Sequence, residues 1–383
     1  MCVECVDDVE QMACFGKGNA WMEERFRMFV LIVWVLLCSM IFAKVYQVYS
    51  VDDIEKAIAT DILNYEQATV LRAKGINNAS MLKVIGTIIE SLPEKLFIER
   101  WEAKSLEQEG TVETTITYIY TETVAQRKVV DEFISKNLPV IVGNAKSDLE
   151  KVFAINEWIK AYITYDESYS HKSVYETLKD RTGVCQGYAL LFYKLAKGAG
   201  LSVYLVSGQA KPAEASADKL QPHAWNIVKV EDSWYYIDTT WNDSTGTNAY
   251  FLFGKNQARY SHYPTTKVPA AVSTKSYAEK LYEEIVAGNS RSLNLFNSLY
   301  GNLIEKYDDF VIYLTNVLKN RNSKPEVKFV SSASFVTRYL SRAMQEAMFK
   351  LNLTSVSYDY SHLYLFTFEG KDFFIWTLSF SRK

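Results

Sequence analysis

One cysteine, followed at fixed distances by one distinctive histidine and one distinctive aspartate, constrains this chain more than any other feature. Cys185 lies in Arg181-Thr182-Gly183-Val184-Cys185-Gln186-Gly187-Tyr188, where a turn-forming glycine gives way to a strongly helical stretch. His223 follows in Pro222-His223-Ala224-Trp225-Asn226, and Asp238 stands fifteen residues further on in Trp234-Tyr235-Tyr236-Ile237-Asp238-Thr239-Thr240-Trp241. The runs Ala224 to Val230 and Ser233 to Asp238 read as two strands joined at Glu231-Asp232, a hairpin. A thiol at a helix start, an imidazole on one strand and a carboxylate on the next are the parts of a Cys-His-Asp nucleophilic site. Helices and strands mixed in this way read as an α+β fold.

The chemistry of such a set is specific. A free thiol is mostly protonated at neutral pH, and the thiolate is the nucleophile. Gly183 permits a tight entry, so Cys185 falls in the first helical turn, where the helix dipole and unpaired N–H groups favour an anion. The N–H of Cys185 itself is a candidate oxyanion donor. His223 is placed to take the thiol proton and return it to a leaving group, and Asp238 to orient the imidazole through its other nitrogen. Taken singly, each has a structural reading: a packed thiol, a core histidine, a turn-capping aspartate. Their order and spacing together favour the catalytic one.

Around this centre the patterning changes twice. Residues 46–125 read as a small α+β domain, with helices at Val51 to Leu63 and Ser80 to Ser91 and strands at Ala68 to Ala73, Leu96 to Ala103 and Val112 to Thr121. Residues 126–268 form the catalytic domain, with helical patterns at Arg127 to Ile134, Ser147 to Ala161 and His171 to Lys179. The helix from Cys185 ends near Gly200, a strand covers Leu201 to Gly208, and Ala210 to Gln221 reads as a loop. Residues 269–383 read as a second α+β domain, with helices at Ser276 to Ala287, Leu299 to Lys319 and Phe335 to Leu351. Strands are expected there at Val327 to Val330, Ser355 to Tyr360, Leu363 to Glu369 and Phe373 to Phe380, with turns at Tyr360-Ser361 and Gly370-Lys371. The order helix, strand, helix, then strands loosely mirrors residues 46–125.

Met28 to Ala43 is apolar except for Ser39, preceded by Arg25 and Arg27 and ended by Lys44. At 16 residues it is short for a spanning helix, which needs about 20. It fits the apolar part of a secretory signal with Ile41-Phe42-Ala43 as the cleavage site, or an uncleaved anchor, ahead of a buried helix of a soluble protein. A start at Met22 gives a conventional signal peptide and leaves residues 1–21 as an over-extended start. Either of the first two readings puts the rest of the chain outside the cytoplasm. Cys2, Cys5, Cys14 and Cys38 lie in or before this segment, so Cys185 is the single cysteine beyond it and no internal disulfide forms in a mature chain. Cys2 and Cys5 have zinc-like spacing without a second ligand pair, and no metal or cofactor is expected. Of the 383 residues, 48% are hydrophobic, enough for several packed cores, and the net charge of −3 belongs wholly to residues 1–43, which hold six acids and three bases. A neutral remainder weighs against nucleic acid or an anionic membrane as partner.

The segments Gly183-Val184-Cys185-Gln186-Gly187-Tyr188-Ala189, His223-Ala224-Trp225-Asn226 and Trp234 to Asp243, with Gly208 and Tyr162-Ile163-Thr164-Tyr165-Asp166, together resemble the transglutaminase-like superfamily of papain-like cysteine enzymes, over about residues 147–263. The resemblance implies a papain/transglutaminase-like core, a nucleophile helix packed on an antiparallel sheet, flanked here by the small α+β units. It implies Cys185 as nucleophile, His223 as base and Asp238 as orienting acid. It also implies Trp225 and Trp241 as aromatic walls, Gln186 at the substrate-binding wall and Tyr165 as a second oxyanion donor. His262 stands where bacterial relatives often keep a histidine, with no role attached. No calcium-binding acid cluster is present. The expected function is an exported, bacterial cysteine enzyme acting on amide bonds of protein or cell-wall peptides through an acyl-thioester, released to water or to an amine. The alternative is a non-catalytic binding or structural protein that keeps the fold. An arylamine N-acetyltransferase fits poorly, because Thr182 replaces a glycine of that family's approach to the nucleophile.

Overall fold

The computed structural model describes residues 44–211, 219–268, 271–321 and 324–381. The apolar run 28–43 and the four cysteines up to Cys38 lie outside the described residues, as does most of the loop read at 210–221. Among the described residues no helix is long and apolar enough to cross a membrane. The chain divides into two compact units, one ending at Gly86 and joined by Arg100–Ile119, the other made of Thr87–Glu99 and everything from Tyr120 onward.

The first module runs β1 (Val45–Gln47), α1 (Val51–Leu63), β2 (Ala68–Lys74), α2 (Asn78–Ser91), β3 (Ile98–Gln108) and β4 (Thr111–Tyr120), and its strands lie in the order β1-β2-β4-β3. β1 and β2 are parallel, β2 and β4 antiparallel. α1 starts where the sequence says it should, with Ser50 and Asp53 forming a capping box. Ile54, Ala57, Ile58 and Ile62 recur at helical spacing and are buried, but so is Asp61 on the same face. Its carboxylate accepts from the Tyr46 hydroxyl at 2.5 Å and from Thr69 Oγ1 at 2.8 Å, and Thr69 in turn meets the Tyr118 hydroxyl at 2.9 Å. A buried charge so bonded is tolerable; left alone it would cost several kcal/mol on the scale of about 3–5.

The central layer follows as α3 (Val124–Val142), α4 (Asp148–Tyr162), β5 (Thr164–Tyr165), α5 (Val174–Asp180), β6 (Thr182–Gly183) and α6 (Cys185–Gly198). It continues as β7 (Val203–Ala210), β8 (Gln221–Val230), β9 (Ser233–Ile237), α7 (Thr239–Ser244), α8 (Lys255–Ala258) and β10 (His262–Pro264). β10-β7-β8-β9 form one antiparallel sheet, and α6 packs against β7 and β8. Tyr188, Leu190, Leu191, Phe192, Leu195 and Ala196 are buried on more than one side of α6, so this helix is the core of the layer rather than its cover. The fold is therefore α+β with a helix on an antiparallel sheet, as expected. α3 is longer than the pattern at 127–134 suggests and carries Pro139 in its last turn, where the Gly143 N–H closes on the Pro139 carbonyl.

Beyond it come α9 (Tyr277–Val286), α10 (Ser290–Tyr300), β11 (Asn302–Leu303), α11 (Tyr307–Asn320), β12 (Glu326–Ser332), α12 (Ala333–Lys350), β13 (Tyr358–Phe368) and β14 (Lys371–Phe380). Two expectations need correction. The helix read at 299–319 is broken by Gly301, whose φ of +110° ends α10, and Asn302 and Leu303 instead pair with Phe329 and Val330. The strands read at 355–360 and 363–369 are one strand, since Ser361 and His362 pair with Thr377 and Trp376 instead of turning. β13 is an edge strand, and an edge tolerates polar residues that look like a turn in sequence.

From β11 onward the order strand, helix, strand, helix, hairpin repeats that of β1 to β4. The strand order β11-β12-β14-β13 has the same parallel first pair. The equivalences run through the side chains. Asp52-Asp53-Ile54 opens α1 as Asp308-Asp309-Phe310 opens α11, and Ile58 and Ile62 match Leu314 and Leu318, all buried. Where the first module buries Asp61, Thr69 and Tyr118, the second places Val317, Val327 and Phe380 in a hydrophobic cluster.

The glycines around Cys185 are required for space. A Cβ on Gly187 would lie 2.3 Å from Thr177 Oγ1 and 3.2 Å from the His171 carbonyl; one on Gly183 would lie 2.9 Å from Thr177. Thr177 Oγ1 is itself held by the Ser173 carbonyl at 2.8 Å. Gly187→Ala is expected to lower stability by about 1–3 kcal/mol in chemical denaturation. Adding Thr177→Ala should recover part of that loss, and a double variant no more stable than the single would show that the clash lies elsewhere.

Candidate active site

Cys185 is the first residue of α6, behind Val184 in extended conformation. The N–H groups of a first helical turn lack intrahelical acceptors and favour a negative charge beside them. Two backbone bonds fix the approach: Asp166 N–H to the Gly183 carbonyl at 3.0 Å and Val184 N–H to the His171 carbonyl at 3.0 Å. The loop between them wraps the Asp166 carboxylate, which accepts from the backbone and hydroxyl of Ser168 and Ser170 and from the backbone of His171. Those bonds, Ser168 first, hold Asp166 well below the usual carboxylate range, and its hydrogen bond raises His171.

The β8–β9 hairpin presents the other two residues as its pattern suggests. His223 on β8 reaches Asp238, just past β9, with Nε2 2.7 Å from Oδ2. Cys185 interacts through its side chain with the same imidazole. Sulfur, imidazole and carboxylate are thus brought together, with the imidazole between the other two. Burial pushes the Cys185 thiol up, but the bond and charge of His223 and the Ala224 N–H outweigh it, and the thiol lies below its ordinary value. Burial works against charge on His223, yet the Asp238 carboxylate and the thiol raise it well above its usual range. Asp238 has no exposed surface; burial opposes its ionisation, and His223 followed by His262 more than reverse that, holding it ionised.

Aromatic rings enclose this line. Trp241 lies 5.1 Å from the His223 ring, and Trp225, 1% exposed, lies 5.9 Å from it and nearly parallel. Tyr165 is half-buried; burial and then the neighbouring Cys185 raise its phenol, which keeps it a hydroxyl donor near the sulfur. Gln186 has a different task from the wall expected of it: its amide donates to the Leu96 carbonyl at 2.8 Å, tying α6 to the turn Pro93–Phe97. Gly208 explains its place in the motif, since a Cβ there would lie 2.2 Å from the Tyr263 carbonyl as β10 crosses β7.

Two further contacts complete the surroundings of Asp238. Asp238 Oδ1 accepts from the Trp241 N–H at 3.0 Å, so the carboxylate also caps α7. His262, on β10 at the far edge of the sheet, places Nε2 3.1 Å from Asp238 Oδ2. A histidine twenty-four residues past the aspartate shows no pattern that would link the two. His223, Asp238 and His262 also bring three potential metal-ligand atoms within 4.8 Å of one another, but each is already spent on hydrogen bonds within the group.

The fold and site set a helix-borne thiol against a histidine and an acid on an antiparallel sheet. Residues 137–239 match the model of the transglutaminase-like superfamily. Among curated proteins, the Kyphoscoliosis peptidase of Homo sapiens is 31% identical over 136 residues, covering 32% of this chain and 20% of that protein. The Mus musculus protein of the same name is 29% identical over 148 residues, covering 34% and 22%. The chain spans about a fifth of the length of these relatives. Solved structures with similarity include a TGase, at 15% identity over 66% of this chain and 75% of that one, TM-score 0.28. Another is the periplasmic domain of TgpA from Pseudomonas aeruginosa, at 14% identity over 38% and 65%, TM-score 0.26.

The coupling of thiol and imidazole has a direct readout. The pH midpoint for alkylation of Cys185 by iodoacetamide should lie below the ordinary thiol value of about 8.5. His223→Ala removes the lowering bond and charge and leaves burial, so the midpoint should move up past that value. A profile that the substitution leaves unchanged would mean an uncoupled thiol.

Proposed function

We propose that this chain is a cysteine enzyme that cleaves amide bonds of peptides or proteins through an acyl-thioester on Cys185. The observation that carries the reading is the placing of Cys185, first residue of α6, against the His223 imidazole, whose Nε2 is 2.7 Å from Asp238 Oδ2. The lowered thiol and raised imidazole favour a thiolate–imidazolium pair, so the sulfur attacks the substrate carbonyl as an anion. The oxyanion that forms is met by the Cys185 N–H at the helix start and by the Tyr165 hydroxyl. His223 then passes its proton to the departing amine, the C–N bond breaks, and an acyl group remains on sulfur. For release, His223 takes a proton from water, hydroxide equivalent adds to the thioester carbonyl, and the carboxylic acid leaves with the thiolate restored. An amine in place of water gives transfer. Hydrolysis is favoured here because the curated relatives bear the name peptidase.

The segment 28–43, apolar with a positive flank before it, supports a location outside the cytoplasm, where the substrate would be a protein or cell-wall peptide. No cofactor enters any step.

Incubation with a peptide library, read by mass spectrometry, should give an acyl adduct on Cys185 and cleaved peptides, both absent in Cys185→Ala. With an amine added, a predominance of amine-coupled over hydrolysed product would overturn the peptidase reading. Asp238→Asn should reduce turnover by on the order of 10³. It should also move the alkaline limb of the pH profile to lower pH, because the imidazolium loses the carboxylate that raised its pKa. Full turnover in that variant, with an unmoved limb, would remove Asp238 from the mechanism.

A further inference from the structure

The carboxylate that orients His223 is shared. Asp238 Oδ2 lies 2.7 Å from His223 Nε2 and 3.1 Å from His262 Nε2, while Oδ1 accepts from the Trp241 N–H at 3.0 Å. His262 comes from a different strand, β10, and its side chain is fully enclosed, with 0% exposure like that of Asp238. Its ring is packed by Trp225, Trp241 and Phe253, whose centroids lie 4.6–4.9 Å away. Its second nitrogen, Nδ1, is 2.8 Å from the Ser261 hydroxyl.

These contacts determine the proton positions. An ionised carboxylate only accepts, so Nε2 of His262 must carry the hydrogen that meets Oδ2. A neutral ring then has a lone pair on Nδ1, and the Ser261 hydroxyl donates to it. Burial lowers the pKa of His262 against the opposing pull of Asp238, and the charge of His223 nearby lowers it further. The titratable groups facing it are Asp238 on the N-cap of α7, His223 on β8 and the Tyr250 phenol, whose ring is 5.8 Å away. A charged His262 would compete with the His223 imidazolium for one oxygen. A neutral one leaves the carboxylate's charge to His223 and still pins its direction.

We propose that His262 is a positioning residue for the reaction, a neutral Nε2–H donor that locks the Asp238 carboxylate toward His223, with Ser261 selecting its tautomer. This rests on the peptidase reading above only for the word reaction; the hydrogen-bonded geometry can be tested without substrate.

Three measurements decide it. Long-range ¹H–¹⁵N correlations on the full chain should show His262 as a neutral Nε2–H tautomer throughout the range from about pH 5 to 8 in which ordinary histidines titrate. An Nδ1–H tautomer, or titration in step with His223, overturns the proposal. His262→Phe keeps a ring and removes the donor. It should lower kcat by about 10- to 100-fold at unchanged KM, the rate equivalent of one charge-assisted hydrogen bond. It should also raise the alkylation midpoint of Cys185, as the imidazolium loses a fixed partner. His262→Gln, whose amide can place an N–H near the same spot, should restore most of the rate and the midpoint. A Phe variant with wild-type kcat and midpoint, or a Gln variant as impaired as Phe at equal thermal stability, reduces His262 to packing. Should the Phe variant fail to fold, the Gln variant and the tautomer decide. If the tautomer and midpoints come out as expected while no peptide is turned over, the positioning geometry stands and the peptidase reading falls.

Discussion

A carboxylate with no solvent contact survives only if its oxygens are engaged, and the arrangement around Asp238 follows from that requirement. Desolvating such a charge without partners costs several kcal/mol, on the scale of about 3–5 when one partner of a buried pair is removed. Asp238 meets it with the N–H of Trp241 and the imidazoles of His223 and His262, drawn from the start of α7, an interior strand and an edge strand. The same contacts that make the buried charge affordable also fix where His223 points. Stability of the central layer and orientation of the His223 ring therefore rest on the same contacts.

The thiol is placed by steric rather than electrostatic means. Cys185 stands between Gly183 and Gly187, both pressed against Thr177 of α5, while the loop 166–171 bonds to the backbone of Gly183 and Val184. Asp166 organises that loop by accepting from backbone and hydroxyl donors within it. α6 is buried along most of its length, so its start can shift little, and the sulfur stays within reach of His223.

The modules that precede and follow the central layer share one topology but stabilise their interiors differently. In the first, Asp61, Thr69, Tyr118 and Tyr46 form a buried hydrogen-bonded group. At matching places the second has Val317, Val327, Phe380 and, for Tyr46, the edge residue Asn302. Full satisfaction of a polar cluster and plain apolar packing are comparable solutions to one space-filling problem. The apolar face spacing of α1 and α11 is retained because the helix–sheet contact demands it, whereas the chemistry behind that contact is free to change.

Local order was legible in the sequence wherever one pattern decides it. The helix starts near Val51 and Ser147, the hairpin at Glu231-Asp232 and the helix from Cys185 depend on neighbours along the chain, and each forms where the residues say. The pairing of His223 with Asp238 was readable for the same reason, since adjacent strands of a hairpin are themselves a local structure. Other features depended on residues far away. Gly301 breaks an apparently continuous helix because Asn302 and Leu303 find a strand to pair with, and Ser361 stays extended because Thr377 lies opposite it. Gln186 turns to the Leu96 carbonyl, ninety residues distant. His262 reaches Asp238 from the opposite edge of the sheet. Propensity and periodicity act over a few residues, so the sequence by itself determined the elements and the hairpin-borne histidine–acid pair. The contact of the second histidine, the spatial reason for the glycines and the shared strand order of the two outer modules, whose likeness in element order shows along the chain, were decided only when folding brought distant residues together.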